Sequence, residues 1–137
     1  MKDLNLITKY LEYNKDGIFG EWIYDSKSKG TLEDPIQMPF VRYNNIVSEF
    51  IDDVIYFVDA NEELGLRHYG QILEKNNIEW GIKSMESANY RELDDVAICA
   101  LVVGIVRGDR FCEGALLSFF EKGIIFNWLK ELDERNK

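Results

Sequence analysis

Five residues between positions 107 and 113 carry most of this chain's chemical potential: Arg107, Asp109, Arg110, Cys112 and Glu113. A guanidinium is a planar fork of donors that fits carboxylate or phosphate oxygens two at a time. Two arginines so close together therefore suggest an anion or carboxylate pocket lined by Arg107 and Arg110. The same residues also support a structural reading. Arg110 and Glu113 are three apart and can pair along a helix, and Asp109 suits a helix N-cap. At helical spacing Arg107 falls on the face of Val96, Ala100 and Val103, where a guanidinium beside the core needs a carboxylate or several carbonyls as partners. Cys112 beside Arg110 in a helical first turn would have a lowered thiol pKa, as a nucleophile requires. The chain's one imidazole, His68, lies far upstream, and no third group to orient it is identifiable, so a packing thiol is the plainer expectation for Cys112.

Other chemistry leaves no pattern. No C-x-x-C pair, H-x-x-x-H, EF-hand loop, Walker loop, G-x-G-x-x-G or G-x-S-x-G occurs, so no metal site and no cofactor is expected. Residues 44–66 hold six carboxylates (Glu49, Asp52, Asp53, Asp59, Glu62, Glu63) and no lysine or arginine. They read as the solvated face of two helices, or as a surface offered to a basic partner.

The elements that must position these groups follow from periodicity. Residues 96–106 carry no charge and read as a buried helix, apolar all round, which has to be enclosed on every side. Asn89 and Glu92 have capping-box spacing for its start, and Gly108 fits its end. Gly104 and Gly108 share one face, where small residues admit close packing. A following helix is expected over residues 110–122, stopped by Gly123. A last one starts at 124 with Ile125, Trp128, Leu129 and Leu132 inward and a solvated tail. Upstream, helices are expected at 2–13 (ended by residues 14–17), 45–58 and 62–75, the last stopped by Asn76 and Asn77. Val47, Phe50, Ile51, Val54 and Val58 make the stripe of the second. Residues 18–24 and 36–43 are rich in β-branched and aromatic types and read as a long-looped hairpin, with Pro39 marking an edge strand. Trp22, Tyr24, Phe40 and Tyr43 divide between core cover and an exposed recognition surface or dimer edge. Residues 78–88 read as loop. The expected fold is α+β: one predominantly helical domain over residues 1–137, with a small antiparallel hairpin beside the helical core.

Bulk properties set the remaining bounds. The chain has 137 residues, 46% hydrophobic and 13% aromatic, enough for a core without disulfide or metal staples. Sixteen lysines and arginines against 25 carboxylates leave a net charge of −9, which disfavours direct nucleic-acid binding and anionic membranes. Two unpaired cysteines and an N-terminus without an apolar signal core point to the cytoplasm.

The run I-V-R-G-D-R-F-C-E-G-A-L at residues 105–116, followed by Glu121, Gly123 and a W-L-K-E-L helix, resembles a bacterial family of unknown function, DUF6508. The segments R-H-Y-G-Q-I-L-E-K-N-N-I (67–78) and P-F-V-R-Y (39–43) resemble it too, so the resemblance covers roughly residues 36–132. It implies Arg107, Asp109, Arg110, Phe111, Cys112, Glu113 and Gly114 as the family's signature positions, and it implies no activity, cofactor or partner. The expected function is a non-catalytic binding or adaptor module working through protein–protein contact, with a homodimer as one form of it. The alternative is a small-molecule or anion-binding protein, or an enzyme, using Arg107, Arg110 and Glu113.

Overall fold

In the computed structural model, which describes residues 1–13 and 17–137, the uncharged run becomes the centre of α5 (Asp95–Gly108). Every residue from Ala97 to Val106 is buried. A helix with no polar face can be stable only when enclosed, and the other elements are arranged to do this. They are α1 (Asn5–Thr8), α2 (Asn45–Ala60), α3 (Tyr69–Lys75), α4 (Ile82–Glu86), α6 (Ala115–Glu121) and α7 (Ile124–Arg135). α5 packs directly on α2, α3, α6 and α7. The buried side chains of all these elements form one continuous core.

Two four-residue strands, β1 (Gly20–Ile23) and β2 (Phe40–Tyr43), pair antiparallel with Trp22 opposite Val41 and Ile23 opposite Phe40. The fold is therefore α+β, mostly helical with a small hairpin, as its periodicities suggest. The strands are shorter than the β-prone stretches: only Val41 is buried on β2, and Ile36 and Met38 lie in the exposed connection. Asn44 ties the hairpin base to a helix. Its Oδ1 caps α2 by accepting from the Val47 N–H at 3.1 Å, while its own backbone N–H donates to Phe19 O at 3.0 Å. Phe19 then stacks on Phe120, centroids 5.2 Å apart, which brings the hairpin stem into the core.

Several boundaries differ from the sequence expectation. The first helix is one α turn followed by a 3₁₀ stretch (Lys9–Tyr13), and Asn14, Lys15 and Asp16, expected to stop it, lie outside the described residues. The 62–75 segment is two 3₁₀ turns before α3, broken at Gly65. Asn89 caps nothing. The N-cap of α5 is Asp94, whose Oδ1 accepts from the Ala97 N–H at 2.8 Å. The tail is not simply solvated either. Arg135 donates to Leu93 O (2.6 Å) and Arg91 O (2.9 Å) and pairs with Asp95 (3.2 Å), fastening the end of α7 to the turn that launches α5.

Candidate functional site

The joint between α5 and α6 is tighter than its sequence suggests. α5 runs into a 3₁₀ turn (Asp109–Phe111), and α6 begins only at Ala115, so Asp109 is not its N-cap. Asp109 nevertheless serves that helix from seven residues away: its Oδ1 accepts from the Leu116 N–H at 3.0 Å. The Tyr43 hydroxyl donates to the Asp109 carboxylate at 3.0 Å and accepts from the Leu117 N–H at 3.2 Å. The Ala115 N–H donates to Cys112 O and the Ser118 N–H to Gly114 O, each at 3.0 Å. The Ser118 bond is the first regular turn of α6, and the Ala115, Leu116 and Leu117 N–H groups, which have no partner within the helix, are thereby satisfied, the last of them by a strand residue.

The remaining joint carboxylate also turns to the hairpin. Glu113 Oε1 accepts from the Val41 backbone N–H at 2.7 Å. Gly114 sits in the left-handed region (φ +86°), and a Cβ there would lie 2.2 Å from the Trp22 ring. Asp109, Glu113 and Gly114 thus form a seat for Tyr43, Val41 and Trp22. Burial raises the pKa of Asp109 above the ordinary aspartate value, opposed by the Leu116 N–H and the Tyr43 hydroxyl and reinforced by the charge of Glu113. Burial, together with the Asp109 charge, pushes the Tyr43 phenol well above its usual range.

A matching arrangement lies on the other side of the joint. Gly108 stays helical, so its lack of a side chain serves close packing: a Cβ would lie 2.2 Å from the Trp80 ring. The Trp80 indole N–H donates to Gly104 O at 3.2 Å, and a Cβ on Gly104 would touch Met85. The glycine pair therefore receives Trp80 and the short helix α4, a helix inside the stretch that reads as loop.

The expected ion-pair lock does not form. Among the described residues no ion pair involves Arg107 or Arg110. Both are exposed, and both nearby carboxylates are already engaged by the hairpin and α6. Arg110 lies over the exposed Phe111 ring, 4.7 Å from its centroid. Cys112 is half-buried in the turn before α6, outside any helical first turn, and His68 is exposed on another element. No group of three or more metal-type side chains occurs among the described residues.

A sequence profile for a family of unknown function (DUF6508) matches residues 2–136. The chain belongs to DUF6508. The match takes in the first helix and β1, which the resemblance over residues 36–132 leaves out. Comparison with curated proteins and with solved structures finds no match.

Arg107 of this DUF6508 chain lines a cleft of about 320 Å³ formed with Val54, Ile55, Val58, Asp59, Arg67, Tyr69 and Val103. Arg67 is held there by Asp59 at 2.7 Å and approached by Glu62 at 3.9 Å. Local pattern does not disclose this grouping, because α2, α3 and α5 meet only in the folded chain. A second cleft, of about 460 Å³, shares Arg67 and Tyr69 and adds His68, Trp80 and Phe111. A third, also about 460 Å³, is acidic and tyrosine-rich, with Glu12, Glu49, Asp52 and Asp53 beside Tyr10, Tyr13 and Tyr56. The carboxylates of residues 44–66 are thus partly engaged: Asp53 pairs with Lys9 at 3.0 Å and Asp59 with Arg67. No helix among the described residues is long and apolar enough to cross a membrane.

With no partner to lose, Arg107→Ala is expected to change unfolding stability by no more than about 0.5 kcal/mol. Urea denaturation checks this. A loss of about 3 kcal/mol or more, the cost of breaking a buried pair, would restore the structural role.

Proposed function

We propose that this DUF6508 protein is a non-catalytic cytoplasmic binding module that docks a protein partner on the outer side of its hairpin. One observation carries the reading. Of the twelve large apolar side chains exposed among the described residues, seven lie between positions 18 and 40, including Leu32, Ile36, Met38 and Phe40. Large apolar side chains left exposed along one stretch of chain are candidates for an interaction surface. The seat built from Asp109, Glu113 and Gly114 supports the reading, because it holds the hairpin stem while leaving this side free. A net charge of −9 makes a second copy a repelling neighbour and favours a partner with basic groups flanking an apolar patch.

Placing a photo-crosslinking amino acid at Met38 in host cells tests the proposal. A discrete adduct with a basic protein is expected, and it should be lost when Ile36→Glu is added. No adduct, or the same adduct from a control position at Glu134 on α7, rejects it. An adduct of twice the chain's mass rejects the basic partner in favour of a homodimer.

A further inference from the structure

We infer that the cleft between α2, α3 and α5 binds a small organic acid, an apolar body carrying one carboxylate, with Arg107 as its anchor. This site is independent of the docking surface proposed above.

The floor of the cleft is apolar. Val54, Val58 and Val103 show only their edges to solvent, at 2%, 9% and 5% exposure, and Ile55 and Tyr69 form apolar walls. Its volume of about 320 Å³ admits a single small molecule, at the lower end of the ~300–1,000 Å³ usual for ligand pockets. Arg107 is the cation at its edge with no ion-pair or hydrogen-bond partner among the described residues. A free guanidinium over an apolar floor fits a carboxylate attached to a hydrocarbon or an aromatic ring, since the fork engages both oxygens together.

The charge of the rim narrows the class further. Arg67 also lines the cleft, but Asp59, in the same lining, balances it at 2.7 Å. The lining therefore carries one positive charge in excess, two arginines against Asp59, with Glu62 outside it at 3.9 Å from Arg67. That arrangement suits a monoanion. A doubly charged phosphate monoester would set its second charge against Asp59 and Glu62.

Amide resonances of the full chain, followed by heteronuclear NMR during titration, test the inference. The probes are 3-phenylpropionate and 4-methylvalerate, compared with 3-phenylpropanol and phenyl phosphate. Saturable shifts are expected for at least one of the two acids at Val54, Val58, Tyr69, Val103 and Arg107. Arg107→Gln should weaken that binding about tenfold or more while its spectrum without ligand stays folded, because this side chain holds nothing else in place. Equal binding by 3-phenylpropanol, undiminished binding in Arg107→Gln, or tighter binding of phenyl phosphate overturns the assignment. So does the absence of saturable shifts with both acids.

Discussion

Asp109→Ala is expected to lower the unfolding free energy by about 2–5 kcal/mol, while Asp109→Asn costs about 1 kcal/mol or less. Alanine leaves the Leu116 N–H and the Tyr43 hydroxyl without their acceptor. Each donor deprived of its partner in a poorly hydrated place costs about 1–3 kcal/mol. Asparagine keeps an oxygen at the Oδ1 position, where both donors converge. Equilibrium urea unfolding of the two variants checks the pair, and equal losses would refute the network. The acid–base behaviour follows from the raised pKa of Asp109. A carboxyl whose pKa is higher folded than unfolded contributes stability that is complete below the unfolded value and is lost as pH rises through the folded one. An asparagine side chain does not titrate, so the Asp109→Asn variant should gain on the wild type as pH rises from about 4 to about 7.

Gly114→Ala is expected to cost about 2–5 kcal/mol, and Gly123→Ala only about 1–2 kcal/mol. Both glycines are left-handed, at φ +86° and +75°. An L-residue there costs roughly 1–2 kcal/mol in backbone energy. A Cβ at 123 meets nothing within 4 Å, whereas one at 114 lies 2.2 Å from the Trp22 ring. Forcing that ring off adds about 1–3 kcal/mol of overpacking. The difference between the two variants therefore isolates the contact between the joint and the hairpin. Adding Trp22→Ala to Gly114→Ala should remove the excess, and two purely additive losses would show that the contact carries no strain.

The linear chain discloses these features unevenly. α5 is legible because its enclosure is written into every residue from 97 to 106, and α2 because its apolar stripe persists along the whole helix. The hairpin is legible as β-prone composition, but its pairing extends over only four positions, since solvent competes for the rest of the connection. α4 is too short, at five residues, for a period to emerge. The joint misleads for a geometric reason. Adjacency suggests that Asp109 and Glu113 meet the neighbouring arginines, yet they engage Tyr43 and the Val41 N–H, 66 and 72 residues away. Short carboxylates at a chain reversal are captured by whatever backbone packs there, while the longer arginine side chains extend into water. Local sequence marks position 107 as a candidate anion anchor, but its companions in the cleft come from helices that sequence distance conceals.

The three tryptophans give this protein an optical gauge of its own. Trp128 lies sealed in the core, whereas Trp22 and Trp80, at 39% and 37% exposure, rest on glycines at either side of the α5–α6 joint. Loss of the joint alone would redden the emission of two indoles and leave the third blue, and full unfolding would redden all three. Fluorescence can therefore separate release of the hairpin from collapse of the helical core within one titration, with no label added.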